Sequence, residues 1–418
     1  MTISVIGLGY IGLPTAAMFA ACGVKVVGVD VSQHAVDTIN QGKIHIVEPE
    51  LDKLVDSVVA NGYLEAFTKP KAADVFIIAV PTPFKDDHEP DLTYIESAAK
   101  SIAPVLKKGD LVILESTSPV GATEQMADWL SSKRLDLTFP QTHGEDSDIR
   151  IAHCPERVLP GRILKELEEN DRIIGGMTPK CSNAAVRLYK TFVKGECIVT
   201  DDKTAEMCKL TENSFRDVNI AFANELSVIC DKLGINVWEL ISLANRHPRV
   251  NILQPGCGVG GHCIAVDPWF IVSKSPKEAK LIRAAREVNG YKPQWVVDKI
   301  NNAISRFLEE NPQKDKNDIA IACFGLAFKP DIDDLRESPA VEIVYALLQN
   351  GLKVNVVEPN IKELPEKLKH KNCELIDLAD FDNSACNFVL VGHNEFKSSE
   401  ILHDTQVLDF CGALKGVQ

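Results

Sequence analysis

An apolar run, Ile3 to Ile6, leads directly into Gly7-Leu8-Gly9-Tyr10-Ile11-Gly12, which opens a predicted helix. Glycines at that spacing, between a strand and a helix, form the first turn of a dinucleotide-binding sheet. Gly7 permits the tight turn, Gly9 lets the backbone approach a pyrophosphate, and Gly12 lets helix and strand pack closely. Tyr10 and Ile11 lie within the turn and count with it as cofactor-contacting residues. The helix N-terminus then faces the phosphates. Asp30 ends the second predicted strand, at the separation expected of a carboxylate that accepts hydrogen bonds from the adenosine ribose hydroxyls. The same charge repels a 2′-phosphate, so the expected cofactor is NAD rather than NADP. The plainer alternative is a glycine turn followed by a surface Asp.

Short β-branched runs alternate with helical stretches over the first 175 residues, the pattern of a parallel sheet covered on both faces. Strands are expected at Ile3 to Ile6, Lys25 to Val29, Asp74 to Val80, Leu111 to Glu115, Ile149 to His153 and Arg172 to Ile174. From about Thr204 to Val296 helical periodicity takes over, broken by a glycine-rich loop from Pro255 to Gly261. A polar stretch, Glu309 to Asp318, reads as a linker, after which Ile319 to Phe324, Lys353 to Val357 and Phe388 to Val391 read as strands. With 418 residues, and about 150 per domain, two or three cores are expected. The expected class is α/β: two Rossmann-like, doubly wound domains, 1–175 for NAD and 310–418 for a second ligand, joined by a central helical domain, 200–296. The two ends read as distant copies of one architecture.

Lys plus Arg number 45 against 59 Asp plus Glu, a net charge of -14. Such an excess repels a phosphate backbone and an anionic membrane surface alike, so neither nucleic acid nor membrane is an expected partner. An anionic ligand must then be met by locally gathered Arg and Lys. The uncharged run from Ile3 to Val24 imitates a signal peptide or a membrane span. Three glycines and Pro14 interrupt it and no basic segment precedes it, which points to a soluble, cytoplasmic chain. The twelve cysteines include no Cys-x-x-Cys pair, and most are expected to be reduced core residues. Cys257, His262 and Cys263 are close enough to suggest a metal site, but no second ligand pair follows, and no metal is expected.

Ligands of such sheets bind at the carboxyl ends of the strands. Thr82, in Val80-Pro81-Thr82-Pro83, and Thr117, in Glu115-Ser116-Thr117-Ser118-Pro119, stand there. Thr123 either presents donors to the cofactor or caps the following helix. In Gly256-Cys257-Gly258-Val259-Gly260-Gly261-His262-Cys263 a flexible backbone leads into a helix expected to start near Cys263. A thiol at a helix N-terminus beside an imidazole gains thiolate character. Asp267, one turn on, has a carboxylate able to reach a water near that thiol. The alternative is a buried Cys after a glycine turn. Lys209, Asn213 and Arg216, at i, i+4 and i+7, share a helix face, with Met207, Leu210, Phe215 and Phe222 left for packing. The stripe either stabilises an oxyanion and holds a phosphate or is a solvated helix face.

Several motifs, in order, resemble the UDP-glucose and GDP-mannose dehydrogenases along the full chain. They are the glycine turn, Pro155-Glu156-Arg157-Val158-Leu159-Pro160-Gly161, Lys209 to Asn213, the glycine loop with Cys263, and Phe328-Lys329 with Arg336. That family oxidises the C6 alcohol of a nucleotide sugar to a carboxylate with two NAD. Asn245 to Ile252 and Gly261 to Phe270 look like the branch acting on UDP-N-acetylhexosamines, and UDP-glucose enzymes usually carry another residue where His262 stands. The resemblance implies Cys263 as nucleophile, Lys209 as acid/base or oxyanion stabiliser, and Asp267, Asn213 and Glu156 as helpers with water. It implies that Arg157, Val158, Lys209, Asn213, Arg216, His247, Arg249, Gly260, Phe328 and Lys329 contact the UDP-sugar, with Arg336 nearer the cofactor, and that the enzyme is a homodimer. Glu358-Pro359 stands where many relatives carry Asp-Pro, with little expected effect on the fold, and the tail after Asp409 matches nothing assignable. Two rival readings are weaker. A two-electron hydroxyacid dehydrogenase does not need Cys263, and a non-catalytic nucleotide-sugar sensor has no use for a thiol, Lys209 and Asp267 together. The C2 epimer of the sugar is read by pocket shape and stays open, so oxidation of UDP-N-acetylglucosamine is the leading alternative.

Overall fold

The computed structural model describes the chain apart from residues 86–87, 160, 262, 317–318, 382–383, 400–401, 403–406 and 415–418. The chain forms two compact units, Met1–Glu212 and Asn213–Gln418.

Wholly apolar segments such as Val75–Ile78 and Leu111–Leu114 are buried at every position, as strands covered by helices on both faces must be. The first unit holds eight strands: β1 (Thr2–Ile6), β2 (Lys25–Val29), β3 (Leu64–Phe67), β4 (Val75–Ile78), β5 (Leu111–Leu114), β6 (Arg150–His153), β7 (Arg172–Gly176) and β8 (Cys197–Asp201). Their order is β3-β2-β1-β4-β5-β6-β7-β8. The order reverses between β1 and β4, which places the ligand crevice beyond their carboxyl ends. Alternate residues feed two cores: Ile3, Val5 and Ile77 join Leu8 and Phe19, while Ile6, Phe76 and Ile78 join Ile95 and Met126.

Two features differ from the sequence expectation. The sheet is not parallel throughout, since β7 runs antiparallel to β6, with Ala152 opposite Gly176 and His153 opposite Gly175. It also continues past residue 175 to Asp201, because β8 pairs along the whole of β7. β8 lacks a sequence signal because it is an edge strand with Ile198 and Val199 exposed, and β3 is only four residues long.

The second unit holds a five-stranded parallel sheet: β9 (Ala320–Phe324), β10 (Lys353–Val357), β11 (Cys373–Leu375), β12 (Cys386–Val389) and β13 (Val407–Asp409), in the order β11-β10-β9-β12-β13. This repeats the order of the first five strands of the first sheet. The likeness extends to single bonds: the Gly7 N–H donates to the Val29 carbonyl at 2.8 Å, and the Gly325 N–H to the Val357 carbonyl at 2.8 Å. In the first sheet Asp30 accepts the next N–H, that of Leu8, at 2.9 Å. In the second Glu358 accepts that of Leu326 at 2.7 Å. The longer Glu358 side chain also meets the fully buried His393 at 2.9 Å, so the exchange for Asp is accommodated by a buried partner. The expected domain edge at 296 falls inside the helix Lys280–Glu310, whose Val296, Val297, Ile300 and Ile304 share one core with Ile321, Cys323, Ile343 and Val344. Among the described residues no helix is long and apolar enough to cross a membrane.

Candidate active site

In the first unit the glycine turn is shaped for an anion. Gly7 has φ 91°, and a Cβ there would lie 2.6 Å from the Ala79 carbonyl oxygen. A Cβ on Gly12 would lie 1.8 Å from the Gly7 carbonyl oxygen, whereas one on Gly9 would meet nothing within 4 Å. That open space fronts the helix Gly12–Ala21, whose N-terminus no side chain caps, so a pyrophosphate fits there. Asp30 holds its carboxylate still by accepting the Leu8 and Ser32 N–H groups at 2.9 Å each. A carboxylate has about four acceptor positions, which leaves room for ribose hydroxyls. Tyr10 is exposed and Ile11 half-buried. Beyond β4 the Thr82 hydroxyl is buried and has no hydrogen-bond partner among the described residues, and Thr117 is half-buried beyond β5. This combination of cradle, carboxylate and orphaned hydroxyl fits NAD.

Thr123 departs from the cofactor expectation. It is fully buried, and its hydroxyl and N–H donate to Glu206 at 2.6 and 2.7 Å. The helix Ala122–Lys133 is therefore capped from the long helix Asp202–Leu233, and the Thr123 hydroxyl serves that cap.

Glu156 is buried and accepts the Arg172 guanidinium at 2.7 Å and the Arg157 N–H at 2.7 Å. Arg172 also donates to Glu115 at 3.1 Å, which takes the Tyr189 hydroxyl at 3.0 Å and the Thr15 hydroxyl at 3.2 Å. Burial raises the pKa of Glu115; Arg172 opposes the rise and Glu156 adds to it. Glu156 is thus held in a fixed cluster that sequence reading missed, although a charged residue closing the apolar run Leu111–Leu114 was its signal. Arg157 pairs with Glu212 at 2.7 Å, and Val158 packs partly against the core. Glu48, buried, anchors the exit of this segment by accepting the Gly161 and Ile163 N–H groups at 2.8 Å each. Pro160 lies outside the described residues. Lys209 is half-buried on the long helix, one turn before Asn213. On the same helix Leu210 is buried, but Met207, Phe215 and Phe222 are exposed, which corrects the packing role expected of them within the chain.

In the second unit Asn213 and Asp267 are both buried, and the Asn213 amide donates to the Asp267 carboxylate at 2.5 Å. The Asp267 N–H donates to the Cys263 carbonyl at 2.8 Å, so one helical turn separates them as expected. The helix itself begins at Asp267 rather than near Cys263, with Pro268 in its first turn, and Cys263 is half-buried in the turn before it. His262 lies outside the described residues. Cys257 is not a companion thiol: it is buried, donates to the Leu390 carbonyl at 3.3 Å, and burial pushes its pKa up to about 12. All twelve cysteines are free, but only Cys154, Cys181, Cys230, Cys257 and Cys323 are buried, fewer than expected.

Gly260 explains how the loop meets Phe328. A Cβ there would lie 2.5 Å from the Glu337 carbonyl oxygen and 2.7 Å from the Phe328 Cβ. The Gly261 N–H donates to the Arg336 carbonyl at 3.0 Å. Arg336 itself is exposed and its guanidinium pairs with Asp334 at 2.6 Å. Arg216, His247 and Arg249 are exposed and Lys329 is half-buried. Among the described residues Arg216, Arg249 and Lys329 form no ion pair, which leaves their charge for an anionic ligand. The loop's entry is fixed by Asn224, which accepts the Gly256 N–H at 2.9 Å and donates to Asn289 at 2.9 Å.

The chain matches the UDP-glucose/GDP-mannose dehydrogenase family in three successive domains: NAD binding over residues 1–193, central over 203–291 and UDP binding over 322–416. It belongs to that family. The UDP-N-acetyl-D-mannosamine dehydrogenase of Yersinia pestis is 65% identical over 402 residues, 95% of this chain and 94% of that one. The NDP-N-acetyl-D-galactosaminuronic acid dehydrogenase of Ralstonia nicotianae is 64% identical over 415 residues, 98% of this chain and 96% of that one. Among solved structures, the UDP-D-ManNAc dehydrogenase of Pyrococcus horikoshii aligns with a TM-score of 0.85 at 40% identity, covering 100% of this chain and 96% of that one.

Proposed function

We propose that the protein oxidises UDP-N-acetyl-D-mannosamine at C6 to UDP-N-acetyl-D-mannosaminuronate, consuming two NAD and one water. The observation that carries the chemistry is the buried Asn213–Asp267 pair bonded through the backbone to the Cys263 turn. NAD, when bound, supplies the hydride acceptor for each oxidation. Loss of a hydride from C6 and a proton from its hydroxyl gives an aldehyde. The Cys263 thiolate adds to that carbonyl carbon and the carbonyl oxygen takes up a proton, forming a thiohemiacetal. A second hydride leaves C6 and the oxygen loses its proton, giving a thioester. Water attacks the thioester, and Cys263 departs as a thiolate, leaving the carboxylate. Lys209 balances the negative charge on the C6 oxygen at each stage. Asp267, oriented by Asn213, and Glu156, oriented by Arg172, assist the water and its protons.

The substrate assignment draws on the Yersinia pestis relative and on the 62% identical UDP-N-acetyl-D-mannosamine dehydrogenase of Escherichia coli, which aligns over 418 residues. A second reading, oxidation of a galacto-configured N-acetylhexosamine nucleotide, draws on the Ralstonia nicotianae relative. The product would feed a bacterial surface polysaccharide of the enterobacterial common antigen type. A cytoplasmic location suits a reaction that uses NAD and a free thiol. Phe215, Phe222 and Ile229, spaced by sevens and 69, 51 and 46% exposed, support a homodimer formed through the long helix. The deciding assay follows NADH with UDP-ManNAc, UDP-GlcNAc, UDP-GalNAc and UDP-glucose. Two NADH per UDP-ManNAc are expected; one NADH with free aldehyde overturns the four-electron reading.

A further inference from the structure

The reaction above gives Glu206 no part, yet this carboxylate is only 1% exposed. It receives three short hydrogen bonds from one turn of chain: the Gly121 N–H at 2.6 Å on one oxygen, and the Thr123 N–H at 2.7 Å and hydroxyl at 2.6 Å on the other. Gly121, with φ 95°, precedes the helix Ala122–Lys133, and no local side chain caps that helix. The first-turn N–H groups that a helix leaves unpaired are usually met by a Ser, Thr, Asp or Asn next to them. Here they are met by a residue on another element. Burial pushes Glu206 up to about 7, against the pull of the Thr123 and Gly121 donors. So costly a placement of a carboxyl group needs those bonds to persist.

Each end of that contact lies beside a residue of the proposed reaction. Between β5 and Gly121 lies the segment carrying Thr117, and it is fastened to the end of β4 through the Ser116 hydroxyl, which donates to the Val80 carbonyl at 2.7 Å. The Ser118 hydroxyl donates to the Ser116 carbonyl at 2.8 Å and stiffens the segment further. On the other side, Glu206 stands three residues before Lys209 and seven before Asn213, the spacing of one helix face. We propose that Glu206 is a positioning residue for hydride transfer: it locks the cofactor-side segment bearing Thr117 to the helix face bearing Lys209, so that the two act on one substrate carbon in fixed register.

Glu206→Gln keeps the size of the side chain but turns an NH2 group toward one of the three donors, and Thr123→Val removes the hydroxyl contact from the other partner. The inference rests on the NAD-dependent reaction proposed above, and steady-state kinetics with NAD and UDP-ManNAc test it. Loss of a charged hydrogen bond predicts, for Glu206→Gln, a KM for NAD raised about tenfold and a kcat lowered several-fold, with the KM for the sugar nearly unchanged. Thr123→Val moves the same constants in the same direction by about threefold. Because both act through one contact, the double variant is no worse than Glu206→Gln alone. A cap that serves only folding would lower Tm and leave this KM and kcat pattern untouched. If both variants keep wild-type KM for NAD and kcat, or if their effects add in full, the proposal is overturned. If the unsubstituted enzyme itself shows no NAD-dependent turnover, the functional reading fails along with it.

Discussion

Gly260→Ala is the sharpest probe of how the second unit presents its ligand contacts. Gly260 has no left-handed φ, so the backbone accepts alanine, and the whole effect comes from the added methyl group. That methyl would lie 2.5 Å from the Glu337 carbonyl oxygen, 2.7 Å from the Phe328 Cβ and 2.9 Å from the Pro339 Cδ. None of these is the tip of a flexible side chain, so the glycine loop and the segment from Phe328 to Pro339 must separate. Overpacking of this kind typically costs about 1–3 kcal/mol. If Phe328 and Lys329 hold the UDP-sugar, that cost is lost from sugar binding, a rise in its KM of about 5- to 150-fold. Gly256→Ala is the matched control, since a Cβ there meets nothing within 4 Å. The measurements are KM for UDP-ManNAc and for NAD, with Tm followed in parallel. A Gly260→Ala enzyme that loses Tm but keeps its sugar KM would refute the role given to Phe328 and Lys329. One that keeps both would refute the packing argument itself.

Other outcomes follow from single groups. Cys263→Ser should bind NAD and sugar yet turn over far more slowly, with a covalent sugar ester accumulating by intact-mass spectrometry; wild-type turnover would leave Cys263 a packing residue. Asp30 should make NADP a poor cofactor, and Asp30→Ala should narrow the difference between NAD and NADP in kcat/KM; equal use of both by the unsubstituted enzyme would refute its role. His153 is fully buried, both its ring nitrogens are unpartnered among the described residues, and burial lowers its pKa from 6.5 to about 3. Below pH 6.5 the unfolded chain takes up a proton that the folded chain refuses down to about 3, so stability falls through that window as pH drops. At pH 4.5 the loss is roughly 3 kcal/mol. Denaturant unfolding of His153→Leu should show that much less acid sensitivity, and an unchanged pH slope would refute the assignment.

What neighbouring residues constrain was legible in the sequence. The glycine turn, Asp30 at the end of β2 and the strands at β1, β2, β4, β5, β9 and β10 announce themselves because φ, close backbone approach and apolar runs are local properties. The thiol, the Lys209–Asn213 spacing and the family resemblance followed from the same kind of local reading. Edge strands escaped it: β8 exposes its apolar residues, and β11 and β13 are three residues each. So did the start of the helix at Asp267, which Pro268 and a preceding turn decide. Most of what escaped is long-range. That Thr123 serves Glu206, that Glu156 is gripped by Arg172, that Asn213 holds Asp267 and that Gly260 yields to Phe328 all depend on side chains distant in sequence meeting within hydrogen-bond or van der Waals reach. A sequence records which groups need partners. Only close packing decides which partner each one finds, because a buried carboxylate or amide must bond whatever donor the fold brings beside it.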